Sequence, residues 1–286
     1  LKVGCHAHGS PIALKPALQT SCNSYFCWGF KHMLDRHSKY GTTADAFEVW
    51  KKHLVSMGYG YKLGIDLPGE SRGFIPNSAY YNRAYGEGRW SANTIISVAI
   101  GQGEVLATPL QIANLCATIA NRGYFITPHV VKEIVGVGLP HRLHEKHYPT
   151  IDRAYYNEIV EGMRMAVTGG TCRRAAFGDV AVCGKTGTAQ NPHGKDHSAF
   201  MGFAPMDNPK IAICVYVENA GFGATYGVPI GSLMMEMYLN GEISESRKYM
   251  ETQMLEASTT GYPRPIISNN KPKPDTDTNA TKDSIQ

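Results

Sequence analysis

Apolar residues recur at helical spacing in several stretches of the first 170 residues, and from about residue 180 they run in short unbroken stretches instead. That change of rhythm divides the chain into a helical part and a sheet-forming part. Ser10 and Pro11 can start a helix through Leu14, Ala17 and Leu18, since a polar cap followed by proline suits a first turn. Tyr25, Phe26, Trp28 and Phe30 mark a second amphipathic stretch, and Phe47, Trp50, Leu54 and Met57 form one stripe of a helix over 43–57, with Thr42 or Thr43 before it and Gly58 after. Thr108-Pro109-Leu110-Gln111 is a capping box with proline at the first helical position. The helix that it opens, through Ile112, Leu115, Cys116, Ile119 and Ala120 to a stop at Gly123, is apolar nearly all round. Such a helix belongs inside a domain. Val130, Val131, Ile134 and Val135 suggest a short strand, and Ile159, Val160, Met163 and Val167 the inner face of a helix over 152–168.

From 180 the pattern turns to β-structure. Residues 180–190 predict a buried strand, and Phe200–Ala204 and Ile211–Val217 a hairpin around the turn residues 206–209. A helix rich in methionine and leucine, from about Thr225 to Leu239, can cover the sheet. Helices, then an antiparallel sheet, then a closing helix make an α+β plan. No period of about 20–50 residues repeats. Beyond Tyr262 the composition is too polar to offset its ordering entropy, so the expectation is one domain over 1–262 and a disordered tail over 263–286.

Composition narrows the classes. The net charge of +4 carries no Lys/Arg run, which argues against a nucleic-acid partner. No apolar stretch reaches the roughly 18 residues of a membrane span. The chain opens at Leu1 in an already busy region, so it is expected to be the C-terminal part of something longer, with any anchor or export signal upstream. Seven cysteines make an odd set without regular spacing; Cys116, Cys183 and Cys214 look like core residues, and no disulfide framework is implied.

The chemistry gathers at Val182-Cys183-Gly184-Lys185-Thr186-Gly187-Thr188-Ala189-Gln190. An apolar strand climbs into a fixed cation, two hydroxyls and a glycine, an end suited to an acyl substrate that bears a carboxylate. Gly187, without Cβ, lets a ligand backbone lie along the strand. Alone the tripeptide is equally an ordinary strand end with a solvated lysine. Upstream, Ser21-Cys22-Asn23 can aim two polar tips into one cleft or simply cap helices; pattern alone favours capping, and Ser91-Ala92-Asn93 has the same spacing.

The order of blocks decides more than any one of them. Ser21-Cys22-Asn23-Ser24-Tyr25-Phe26, Gly64-Ile65-Asp66-Leu67-Pro68-Gly69-Glu70, Gly101-Gln102-Gly103 with Thr108-Pro109-Leu110-Gln111, and Lys185-Thr186-Gly187-Thr188-Ala189-Gln190 together resemble class B penicillin-binding proteins of the elongation type. The resemblance covers about residues 1–240. It implies a serine β-lactamase/D,D-peptidase-like fold and a D,D-transpeptidase acting on peptidoglycan stem peptides through an acyl-enzyme that β-lactams trap. By the same resemblance, Ser21 relays a proton to the leaving nitrogen and Asn23 hydrogen-bonds the substrate amide. Lys185 supplies positive potential, Thr186 and Thr188 hold the substrate carboxylate, and the Thr188 N–H is one arm of an oxyanion hole. A periplasmic location at the inner membrane and a SEDS-family glycosyltransferase partner are also implied.

The sequence departs from that family in one respect. The family places Ser-x-x-Lys before Ser-x-Asn, and none of the 20 residues before Ser21 fits. The sole match, Ser268-Asn269-Asn270-Lys271, falls in the polar tail on the wrong side of the other motifs. The expectation is an N-terminally truncated domain that does not acylate by itself. A β-lactamase of the same superfamily and a non-catalytic β-lactam-sensing domain are the alternatives. Two clusters raise the question of metal. Cys5, His6, His8 and Cys22 can hold zinc but fit no standard finger, so metal-free loop residues are the expectation, as they are for His141, His144 and His147.

Overall fold

The computed structural model describes residues 4, 5, 7–10 and 12–258. His6, Pro11, the Ser268–Lys271 match and the expected tail lie outside the described residues.

Helix α1 spans Leu14–Thr20 and α2 Asn23–Leu34. The expected start at Ser10–Pro11 is too early: the N-cap is Ala13. The reason is Pro16. A helix begun at residue 11 would place Pro16 in its interior, without an N–H and with its ring against the carbonyl of Ile12, whereas a start at Leu14 leaves it in the first turn, where no donor is needed.

Helices α3 (His37–Tyr40), α4 (Thr43–Ser56) and α5 (Ser78–Tyr85) follow. Thr42 and Asp45 close a capping box on α4. Phe30 and Leu34 of α2, Phe47 of α4, Tyr81 of α5, and Trp90 pack into one aromatic core with Val98, which sits on a 3-10 turn, Ile96–Ile100. Helix α6 (Pro109–Ala120) has the expected Thr108/Gln111 box. It carries more polarity than its apolar run suggested: buried Gln111 donates to the carbonyls of Gly58, Tyr61 and Arg72, and so pins the turn after α4.

The short strand expected at Val130–Val135 does not form. Strand β1 is Phe125–Ile126, paired with β2 at Lys146–His147, while Val135 stands 92% exposed. The Val130 and Val131 amides, which a strand would have paired, donate to the Asp66 carboxylate. The imidazoles of His141, His144 and His147 do not converge: the first two rings meet edge to face and the third stacks on Phe125.

Helix α7 (Tyr156–Gly169) buries Val160, Met163 and Val167. Strands β3 (Cys183–Ala189), β4 (His197–Ala204) and β5 (Ile211–Val217) make an antiparallel sheet in the order β3-β4-β5, with Lys185 opposite Met201 and Gly187 opposite Ala199. Alternation sends Cys183 and Phe203 toward α6 and α7, and Phe200 and Ala204 toward α8 (Gly227–Asn240). The two buried phenylalanines each contribute about 1.5–3 kcal/mol over exposure, so helices on both faces fix the register. Helix α9 (Lys248–Glu256) closes over α8, where Arg247 and Glu236 form a buried ion pair at 2.8 Å. Among the described residues no helix is long and apolar enough to cross a membrane.

The consequence for function is that β3 lies at the sheet edge. Its outer side faces the start of α2 and the loop after the Ile96–Ile100 turn.

Candidate functional site

Ser21 sits at the end of α1 with φ 55°, a left-handed conformation that a non-glycine residue rarely adopts. Its amide donates back to Leu18, and the next amide, Cys22, to Ala17. The chain therefore reverses within two residues, and α1 is held against α7. The capping expected from pattern alone does not involve the Ser21 or Asn23 side chains: the Tyr25 amide donates to Cys22 Sγ at 3.3 Å, so Cys22 caps α2. The Ser21 hydroxyl is left to face β3, where Lys185 Nζ donates to it at 2.7 Å.

Lys185 also donates to the carbonyl of Thr186 at 2.8 Å. Among the described residues no carboxylate pairs with it, and burial pushes its amine below the ordinary lysine range. Behind the strand, Thr171 and Thr186 share a hydroxyl contact at 2.8 Å. Cys172 bonds to both threonines there, and burial pushes its thiol up to about 11. It is a neutral core thiol.

Backbone direction is alternating in an antiparallel edge strand: each residue sends its N–H and C=O to the same side. The Thr186 carbonyl accepts from Lys185 and the Thr188 carbonyl from Gln102 Nε2 at 3.0 Å, so both residues turn their peptide groups away from β4. The Thr186 amide meets Cys172. The Thr188 amide points to the same open side, and no side chain or loop backbone among the described residues takes it.

On the face that the Thr186 and Thr188 side chains share, Gly223 donates to Thr188 Oγ1 at 3.3 Å. A Cβ at Gly223 would come within 2.4 Å of the Gly187 and Ala199 carbonyl oxygens, so only glycine lets that loop lie on the strand. Asn23 is turned elsewhere, its Nδ2 donating to the Gly4 carbonyl at 3.0 Å. A cavity of about 740 Å³ adjoins the Gly187–Gln190 end of β3, walled by Trp50, Leu54, Tyr59, Ile112 and Leu115.

The structure thus brings Ser21, Lys185, Thr186 and Thr188 to one strand edge, with Gly187 between the threonines. Sequence reasoning missed Thr171 and Cys172, and quoted Gln102 only as part of a motif. The Gly169-Gly170-Thr171 helix stop was visible, but nothing local reveals that it packs behind residue 186.

Cys5, His8 and Cys22 form a second constellation, with one ligand atom of each within 4.8 Å of the others. The thiols are 3.8 Å apart. Burial acts to raise the Cys5 pKa, but hydrogen bonds from Ser24, Cys22 and His8 outweigh it and bring the thiol down to about 7. Two sulfurs and an imidazole are a donor set that suits zinc. His6, the fourth residue in the sequence cluster, is outside the described residues.

A strand-edge Lys-Thr-Gly facing Ser-x-Asn, on a sheet sandwiched by helices, is the arrangement of the penicillin-recognising fold. Residues 3–236 match the penicillin binding protein transpeptidase domain, and the chain belongs to that family. Within it, the chain is similar to the peptidoglycan D,D-transpeptidase MrdA of Haemophilus influenzae, at 34% identity over 231 residues, covering 73% of this chain and 35% of that protein. Pseudomonas aeruginosa PBP2, solved in complex with WCK 5153, superposes with TM-score 0.65 at 30% identity, covering 82% of this chain and 51% of that one. A peptidoglycan synthase complex described as coordinating polymerization and crosslinking contains a chain with TM-score 0.63 at 30% identity, covering 80% of this chain and 38% of that one. The chain spans about a third of the length of the curated relatives it matches.

Proposed function

We propose that this chain supplies two walls of a D,D-transpeptidase cleft, and that the contact between Lys185 and Ser21 is the observation that carries the reading. In the reaction a serine oxygen attacks the carbonyl of a D-Ala-D-Ala amide. The C–N bond breaks, D-alanine leaves with a proton on its nitrogen, and an ester remains. The amine of a second stem peptide then displaces the serine and forms the cross-link. Lys185 donates to Ser21, so the Ser21 proton is free to pass to the leaving nitrogen. The Thr188 N–H faces the carbonyl oxygen, and Thr186 and Thr188 bind the terminal carboxylate. Asn23 would have to exchange its Gly4 partner for the substrate amide.

No Ser-x-x-Lys precedes Ser21 in the sequence, so none of these residues is the attacking serine. The proposed activity therefore needs such a serine together with this chain, and residues 1–262 are proposed to belong to the transpeptidase domain. The relatives' names support peptidoglycan as substrate. The synthase complex similar in fold supports a glycan-polymerising partner, proposed to be a SEDS-family glycosyltransferase at the periplasmic face of the membrane.

Fluorescent penicillin tests the reading. Stoichiometric, slowly hydrolysed labelling of the full-length gene product is expected. Absence of labelling would overturn the proposal, and rapid nitrocefin turnover would replace it with a β-lactamase.

A further inference from the structure

Gln102 reaches 86 residues along the sequence to hold the strand edge. It lies between Gly101 and Gly103, at φ 71° and 72°, and its amide donates to Ser97 at 3.1 Å. A Cβ at Gly103 would come within 2.7 Å of Ser97 Oγ, so the loop folds tightly back on the Ile96–Ile100 turn. That turn packs on α2, whose first residues follow Ser21. The half-buried Gln102 side chain leaves this rigid loop and donates to the Thr188 carbonyl at 3.0 Å.

The bond has a directional consequence. Carbonyl and amide of Thr188 share one side of β3, so gripping the carbonyl also holds the amide toward the cleft. Without a partner on that carbonyl, the end of an edge strand is free to twist, and Gly187 just before it adds no side chain to resist. The second hold on Thr188, from Gly223 to its hydroxyl, acts on the side chain and does not set the carbonyl.

We propose that Gln102 is a positioning residue for the reaction: it orients the Thr188 peptide so that its N–H is aimed at the developing oxyanion. This rests on the role assigned to Thr188 under the proposed function. A donor aimed in advance costs no reorganisation during reaction, which is why its orientation matters more than its presence.

Gln102→Met keeps the volume and removes the donor. In the full-length gene product, stopped-flow acylation by a fluorescent penicillin should slow on the order of tenfold in the acylation step, with the initial binding constant and the melting temperature held. Wild-type acylation by the variant would overturn the proposal, as would a loss that simply follows the unfolded fraction. Amide hydrogen exchange gives an independent reading that needs no acylation: the Gly187 and Ala189 amides, which face β4 on either side of Thr188, should exchange about tenfold faster in Gln102→Met as the strand end loosens. Unchanged exchange would overturn the proposal even if wild-type labelling failed, and labelling failure by itself would count only against the transpeptidase reading.

Discussion

The amine of Lys185 donates to the hydroxyl of Ser21 across 164 residues of sequence, at 2.7 Å. The direction of that bond matters as much as its length. An ammonium can only donate, so the Ser21 oxygen accepts and its own proton is left for another acceptor. A cation that no carboxylate among the described residues pairs thereby keeps its field for whatever binds there.

That arrangement costs stability at neutral pH. Lys185 has a depressed pKa in the fold, so between that value and the ordinary lysine pKa of about 10.4 the unfolded chain binds more protons than the folded one. Stability therefore gains with rising pH across that window. In Lys185→Met this contribution is absent, so the stability of wild type relative to the variant should increase from pH 7 to pH 10 in urea unfolding. Parallel curves would contradict the desolvated lysine. In the full-length gene product the same variant should lose about a hundredfold or more in penicillin acylation.

Ser21 combines strain with chemistry. Its φ of 55° costs a non-glycine residue about 1 kcal/mol, and both Ser21→Gly and Ser21→Ala remove the hydroxyl. Gly is expected to be more stable than Ala here by about 1 kcal/mol by thermal unfolding. Both should acylate about a hundredfold more slowly in the full-length gene product. Equal stabilities would mean that the left-handed turn relaxes on substitution.

Much of this architecture is legible locally. The Thr42 and Thr108 caps, the apolar face of α7 and the hairpin of β4 and β5 follow from residues close in sequence, so the pattern locates them. What it misses depends on distant partners. Val130 and Val131 look like a strand until Asp66, 64 and 65 residues away, takes their amides. Helix α5 has only eight residues and too short an apolar stripe to stand out, though Asn77 caps it. At the site, the order of motifs indicated the family, but no local rule says that Ser21 rather than Ser91 meets Lys185. That choice is made by the packing of α1 on α7 and α7 on β3. The grip of Gln102 on Thr188 is likewise invisible before the sheet edge and the loop are brought together.

Gly223 gives a purely steric test. Its added Cβ in Gly223→Ala would meet two backbone carbonyls at 2.4 Å, and backbone in a paired strand cannot move aside as a side chain can. A loss of about 1–3 kcal/mol is expected in urea unfolding. Gly221→Ala, whose Cβ meets nothing within 4 Å but whose φ is 77°, should cost about 1 kcal/mol from backbone strain alone. If the two variants were equally stable, the loop would not be seated on β3 as described.

The Cys5–His8–Cys22 cluster makes a prediction about metal. Two thiolates on one tetrahedral zinc, each at about 2.3 Å, stand about 3.8 Å apart, and the Cys5 and Cys22 sulfurs are 3.8 Å apart here. With His8 inside the same 4.8 Å cluster, three ligands are preplaced. The chain should therefore retain about one equivalent of zinc through dialysis, and its cobalt form should show thiolate charge-transfer absorption. Cys22→Ser should weaken binding by at least about tenfold. Lowering the pH should release the ion as the ligands protonate. Because Cys22 also caps α2 between Ser21 and Asn23, chelation should lower the melting temperature by the linkage between binding and folding. A zinc-free protein after dialysis, or full binding by Cys22→Ser, would show that the three residues are held together by their hydrogen bonds alone.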